Sequence, residues 1–599
     1  MQTPCISVNS TICEERLQYN HGMIQPEYAV SESGRSRAQE SRAAIARLYV
    51  AMRHLFIRGS YKPLGVSGEA MIEALMVLRP EIYGSITDPE RVELDGLFYI
   101  FQRLPKGIEE CRYIKLITRE GFEKTHFQPI IPAKRRRNCY RIDEEQMFVE
   151  MTRGRSDIYD ILTHLTFLYV EAEKIRRNSE DYRDEKRREW QMLEEIVRRE
   201  EDSEEFNHEV AYTYLSTLLG RTYEETVTAS RRFDKDTNVN SLFHIVYWLG
   251  LRATEEVGED KDREISFSSA LREKIGHHYY GELWARKIKD FLREQNMLER
   301  PLHVISANLH SVMNTLYALP ALKNRHEGTT LKELAEDLSH EENEEMRERV
   351  FTYASRHGML QIDDTSGTNI SIQIFDSTRI DPSTLPPDIE WDEDYIAAEK
   401  PVLIVMDYAF GEQAFETMDE FLKPYETDEG RTPLKIKSIA VMGKAGILEG
   451  DKGDIMVPDA HVFEGTADNY PFHNDLIPED FEQDKVRVCT GPMITVMGTS
   501  LQNKDILRYF LKSSWRAIGL EMEGAHYHKA IQSASKIRNS IDENVVLRYA
   551  YYASDNPLIT GHTLASGSLG VEGVKPTYLI TEKMLNKIFS PKSVEKIEG

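Results

Sequence analysis

The sequence is short of several features that mark common protein classes. Its five cysteines, Cys5, Cys13, Cys111, Cys139 and Cys489, are scattered, and none forms a Cys-x-x-Cys pair. That spacing argues against a zinc knuckle and a disulfide framework, and suits reduced thiols. No apolar run reaches the roughly 18 residues that a membrane helix needs. The N-terminal Met1-Gln-Thr-Pro-Cys-Ile-Ser7 lacks the basic-then-apolar layout of a secretory leader. Positive charge is in deficit, with a formal net charge of −25. A nucleic-acid binder needs clustered Lys and Arg to neutralise phosphates, so that class is not expected. Internal repeats and low-complexity linkers are missing too. The expectation is a soluble cytoplasmic protein with no membrane or nucleic-acid partner.

What is present fits a large folded chain. Its 599 residues predict two or three domains, and 40% hydrophobic content suffices for real cores. Residues 1–30 read as loosely structured. From Ser31 to about Leu78 the pattern is helical, with apolar residues at threes and fours between Arg42 and Ile57. Residues 93–150 mix short apolar runs with turn residues and predict a few strands. The basic run Lys134-Arg135-Arg136-Arg137 follows Pro132. On so acidic a chain it reads as a solvated loop, with phosphate contact as the sharper alternative. Residues 156–298 read as almost all helix. Within them, Asn178 to Phe206 is dense in opposite charges, as in Glu194-Glu195 against Arg198-Arg199. That predicts one long exposed helix with i,i+4 pairs worth about 0.2–0.5 kcal/mol each. A coiled-coil surface is the weaker alternative, because no a/d seam persists.

Near Arg300 the period changes. Short apolar runs recur at Leu302–Ser306, Ile370–Phe375, Val402–Met406, Ile436–Met442, Ile455–Val457, Val486–Cys489, Ala517–Met522 and Val545–Ala553, with helical stretches between several of them. Strands alternating with helices predict an α/β half with a mixed sheet flanked by helices, following a mostly helical N-terminal half. The corresponding division is 1–150, 151–299 and 300–599. Asp376–Lys400, with its prolines and acids, reads as an inserted loop.

In α/β sheets, ligands gather at the carboxyl ends of strands. Here those ends carry Asp407 to Ala414 with Glu412, then Gly443-Lys444-Ala445-Gly446, Thr490-Gly491 with Ile494, Glu521-Met522-Glu523, and Ser554-Asp555. Two glycines let backbone amides approach an anion. Gly443–Gly446 nevertheless lacks the full phosphate-loop pattern, so a nucleoside triphosphate loop is not read. Taken singly, each acid is as well explained by a strand cap or a pairing with Arg516 or Arg548. His461, His473, His526 and His528 show no metal-ligand spacing, and neither a metal nor a cofactor is expected.

The ordered set resembles the purine nucleoside phosphorylase and nucleosidase superfamily. The matching runs are Met442 to Leu448, Gly453 to Ala460, Thr490-Gly491, Gly519 to Ala525 and Ala553-Ser554-Asp555. Ser554 to Leu558, with Gly561-His562 after it, looks most like the AMP nucleosidase branch. The resemblance covers roughly 300–590 and implies a phosphorylase-like α/β domain. It also implies roles: Asp555, beside Ser554, assists departure of the purine at N7, and Glu523 holds the ribose hydroxyls with Met522 against the sugar. Thr490, Gly491 and Ile494 would line the base pocket, and Gly443, Lys444 and Gly446 would bind phosphate or water. Glu412 matches either the family's water-activating glutamate or, as the distance to Gly443 favours, the later glycine-containing turn before the central helix, where a carboxylate could still activate water.

The expected activity is hydrolysis of the N-glycosidic bond of AMP-like nucleotides or nucleosides. A phosphate-dependent phosphorylase and a non-catalytic purine-nucleotide sensor are the rivals. Lys444-Ala445, where the phosphorylases carry Arg and Ser, tilts the reading toward hydrolysis. The expected partner is a small purine nucleoside or nucleotide, in a homo-oligomer. A regulatory or assembly role for residues 1–300 rests on their size, helicity and charge.

Overall fold

The computed structural model describes residues 36–135, 137–183, 185–322, 330–428, 430–466, 468–559 and 570–591. Residues 1–30, Arg136 and the Gly561-His562 pair lie outside them. The first helix starts where the sequence supplies a capping box. Ser36 accepts from the Gln39 amide, Gln39 reaches back to Ser36, and the helix runs Arg37–Arg58 to a left-handed Gly59. Its stripe of Ala44, Leu48, Met52 and Leu55 is buried. The helix Gly154–Asn178 lies at the centre of this half: every residue from Ile161 to Ala172 is buried, whatever its polarity. A helix enclosed on all sides needs polar partners inside, and Tyr83 Oη lies 3.1 Å from His164 Nδ1.

This half is not purely helical. Five strands lie in the order Ser60–Tyr61, Glu264–Phe267, Tyr113–Ile117, Gln146–Glu150 and Cys139–Arg141. Glu264–Phe267, inside the stretch read as helix, pairs parallel with Tyr113–Ile117 and antiparallel with Ser60–Tyr61. Residues on both sides of position 150 therefore share one sheet and one core.

Two expectations fail here. The charged stretch after Asn178 is not one exposed helix. The chain turns through a bridge between Glu180 and Lys186, and a second helix, Arg188–Glu201, buries Trp190, Leu193, Ile196 and Val197. Packing of that apolar stripe decides the fold there, while Arg198 and Arg199 still pair with Glu195 on the outside. The basic run is not wholly solvated either: Lys134 is exposed, but Arg135 and Arg137 turn inward. Arg137 has a side-chain exposure of only 1% and donates to Asp157 Oδ1 at 2.8 and 3.1 Å and to Asp160 Oδ2 at 2.7 Å. Arg135 grips Asp160 with two bonds of 3.0 and 3.2 Å, and Arg153 donates to Asp157 at 2.9 Å. Asp157 and Asp160 stand three residues apart at the start of the central helix and draw the run inward.

The C-terminal half holds a ten-stranded mixed sheet. Five strands close on themselves in the order Ile455–Phe463, Val488–Thr495, Gly519–Glu521, Ile436–Ile447 and Val546–Asp555, the last pairing back to the first. Ile436–Ile447 also pairs with Leu302–Ser306, and the sheet continues through Val402–Met406, Ile372–Asp376 and Met359–Ile362. Asp376–Lys400 is more ordered than a loop, carrying the helix Glu393–Glu399 capped by Asp392. One apolar core runs from the N-terminal helices to Ile494, Val496, Leu501 and Leu520, so the halves pack directly together. Among the described residues, Cys111, Cys139 and Cys489 are free thiols, and no helix is long and apolar enough to cross a membrane.

Arg137→Met should lower stability by about 3–5 kcal/mol, the cost of leaving buried carboxylates short of a partner. A urea unfolding midpoint no more than slightly below wild type would contradict this account of the network.

Candidate functional site

The site begins at Gly446. Leu520 faces it from one neighbouring strand and Asp555 from the other. Their backbones therefore stand two strand spacings apart, about 10 Å. The register slips between Ala445 and Gly446, and such a bulge re-aims the side chains at a strand end. Asp555 is 4% exposed, and the Ser554 hydroxyl lies 2.5 Å from its Oδ1 and 3.2 Å from the carbonyl of Ala445. Arg548 does not pair with it, because Arg548 donates to Asp475 at 2.7 Å. Asn556 anchors the following turn by donating to the Gly450 carbonyl at 2.9 Å.

Glu521 organises the opposite side. Its carboxylate is buried and accepts from the Thr495 hydroxyl and from the amides of Glu523 and Gly524. Thr495 Oγ1 in turn accepts from the Ala525 amide at 2.8 Å, so the strand Val488–Thr495 and the helix Gly524–Gln532 are tied through one carboxylate. Burial pushes the Glu521 carboxyl up to about 7, against the pull of those donors. Glu523 is pushed up to about 8, first by burial and then by the charge of Glu521. Its Oε1 accepts from the Gly411 amide at 2.8 Å, which fixes the carboxylate against the loop after Val402–Met406. Gly411 has φ +56, and a Cβ there would stand 2.5 Å from Ser156 Oγ, so only glycine fits this close approach.

Glu412 faces elsewhere. Its amide donates to Ser156 Oγ at 2.8 Å, and its carboxylate lies 3.4 Å from Arg155 on the N-terminal half. A narrow cavity follows, lined among others by Phe410 and Met522 from the loops after Val402–Met406 and Gly519–Glu521, Met497 from the loop after Val488–Thr495, and Ser156 and Tyr159 from the central helix.

Several expected placements change. Gly443-Lys444-Ala445-Gly446 is not a turn. Ile436–Ile447 runs through it, with Gly443 opposite Tyr551. Lys444 points to the exposed face. Val488–Thr495 likewise continues past the glycine at 491, so Thr490 and Gly491 pair with Val457 and Pro458 in mid-strand. Thr490 is exposed and five residues, or about 16 Å, short of Thr495. Ile494 is fully buried in the core, opposite Leu520. The structure brings together Glu523, Met522, Gly411 and Phe410 at one mouth, with Ser554 and Asp555 across Gly446. Thr495, Met497, Arg155 and Ser156 were missed by sequence reasoning. The apolar run Met493–Met497 carried a signal for the first two, since it marks a strand that does not stop at Cys489.

Three of the expected histidines are kept neutral near pH 7 by burial. His461 is held well below its ordinary value by burial, His526 falls to about 3 and His528 to about 4 for the same reason. Among the described residues, His278 with Asp419 and Glu420, and His244 with Glu109 and Glu110, bring three ligand-type atoms within 4.8 Å. Both groups already hold partners: Asp419 pairs with Arg538 at 2.7 Å, and His244 with Glu110 at 2.9 Å.

Solved structures similar to this chain include a 5'-methylthioadenosine/S-adenosyl homocysteine nucleosidase from Campylobacter jejuni, at 10% identity over 48% of this chain and 98% of that one, with a TM-score of 0.28. A futalosine hydrolase of Helicobacter pylori is 11% identical over 48% and 98%, with a TM-score of 0.28. A uridine phosphorylase from Schistosoma mansoni is 13% identical over 49% and 88%, also at 0.28. No curated protein matches the sequence. A protein-family profile matches residues 69–350 and 331–590, and the chain belongs to that family, described as a family of unknown function (DUF6909).

Proposed function

We propose that the C-terminal half is a purine N-glycosidase that hydrolyses the bond between base and ribose in AMP-like nucleotides or nucleosides. The observation that carries this reading is the pair of carboxylates flanking Gly446, the buried Asp555 on one strand and the half-buried Glu523 just beyond Leu520 on the other. Cleavage at C1′ builds positive charge on the sugar while electrons flow into the purine. Asp555, with Ser554 at its Oδ1, hands a proton or a hydrogen bond to N7 and makes the base a better leaving group, a contribution of about 10²–10⁴-fold. Glu523, aimed by the Gly411 amide, holds the ribose hydroxyls and favours the developing charge. Met522 packs against the sugar. Water is the attacking group, and Glu412 is the carboxylate nearest in sequence to the Gly411 contact. Its pairing with Arg155 directs it first to the N-terminal half.

Asp555→Asn should lower base release from AMP and from purine ribosides by about 10²–10⁴-fold. Wild-type rates in that variant would end this mechanism. Inorganic phosphate should neither speed turnover nor yield ribose 1-phosphate; if it does both, the enzyme is a phosphorylase. Tight purine binding with no turnover under any condition would favour a sensor.

The pH profile gives a second check. Glu523 must be ionised to hold the diol, and its carboxyl sits near 8. The kcat/KM should therefore rise with pH through an acid limb near 8. Glu521→Gln removes the like charge that helps raise Glu523, so the limb should move to lower pH. A limb that stays in place or moves up would contradict the coupling.

A further inference from the structure

An acidic protein has gathered a surplus of positive charge at one internal seam. Arg135, Arg137 and Arg153 meet Asp157 and Asp160, and Arg155 meets Glu412. Arg53 stands one helical turn after Tyr49 on the first helix, and the Tyr49 ring packs edge-on against Tyr159 with centroids 5.2 Å apart. Five arginines therefore face three carboxylates, a surplus of two charges. The nearby Glu416 does not cancel it. Burial and the charge of Glu412 push its carboxyl up to about 8, so it is mostly neutral at pH 7.

The donors at this seam are not used up. The Tyr159 hydroxyl belongs to a residue 8% exposed, lines the cavity beside Met522, and makes no hydrogen bond among the described residues. Arg153 Nε is buried and equally without an acceptor. The 25-residue central helix begins at Gly154 with no side-chain cap, so its first amides and its dipole add to the field. Among the described residues, Arg155 has one polar contact, a long one of 3.4 Å to Glu412.

We propose that this seam is the subsite for a phosphate monoester on the substrate's ribose, held by Arg155 with Arg53, Ser156 and Tyr159. Glu412 occupies Arg155 when no phosphate is there and gives way when one arrives. A phosphate monoester carries close to two negative charges near neutral pH, which matches the surplus. The subsite lies one residue from the sugar carboxylate, because Gly411 contacts Glu523 and Glu412 contacts Ser156. This inference deepens the glycosidase reading and rests on it for the sugar's position. It assigns the 5′ end of the substrate to the N-terminal half.

The test is calorimetric binding to the full-length protein, with ribose 5-phosphate, ribose and inorganic phosphate as probes. Ribose 5-phosphate should bind at least 100-fold more tightly than ribose. Arg155→Met should weaken it by about tenfold or more, the worth of a charge-assisted bond. Arg53→Met, on an exposed position, should weaken it without disturbing the seam. Glu412→Gln should tighten it by removing the internal competitor. Equal affinity for ribose and its phosphate would overturn the proposal. So would wild-type affinity in both arginine variants, or inorganic phosphate binding as tightly as the sugar ester. No bond is cleaved in these titrations, so their outcome is separate from that of base release. A protein that binds ribose 5-phosphate in this way but releases no base keeps the subsite and loses the glycosidase.

Discussion

The carboxylate of Glu521 is the contact on which the mouth of the C-terminal half depends. It is buried, yet it receives the Thr495 hydroxyl and two successive amides. A carboxylate that collects donors in this way fixes the backbone around it more firmly than any single neutral bond. It aligns the end of Val488–Thr495, starts the helix Gly524–Gln532, and sets the direction in which Glu523 leaves the strand. Glu523 then reaches Gly411, and the residue after Gly411 reaches Ser156. One desolvated acid thus connects the closed ring of strands to the central helix of the other half.

The two acids divide their work because their surroundings differ. Asp555 has a hydroxyl neighbour on its own strand and the Gly446 backbone at its side. Glu523 has an amide from a distant loop and a like charge two residues away. Environments of this kind separate the tasks of two carboxyl groups.

Much of the frame was legible. Alternating apolar runs located every strand of the C-terminal half's main sheet except the short or peripheral ones, because a buried strand needs an apolar run. The run ends were not legible at Gly443 and Gly491. Glycine ordinarily weakens a strand, but both strands continue here, and at Gly491 the missing side chain leaves room for Ile518. The fate of Lys134–Arg137 was also hidden. Its partners, Asp157 and Asp160, lie some twenty residues on, across a turn that no local pattern specifies. The Gly411–Glu523 bond spans 112 residues and is a product of topology alone. Charge balance offered the missed clue, since a compact basic run in so acidic a chain is unusual enough to need acidic neighbours.

The strand Glu264–Phe267 sits between Ser60–Tyr61 and Tyr113–Ile117. That placement sets a schedule on synthesis. A nascent chain can form its first helices early, but the gap in its sheet stays open until residue 267 has left the ribosome. Until then two strand flanks that belong together have no partner, and they are open to the wrong one. The N-terminal half must therefore be completed late and as a unit, from a contact that spans some two hundred residues of chain.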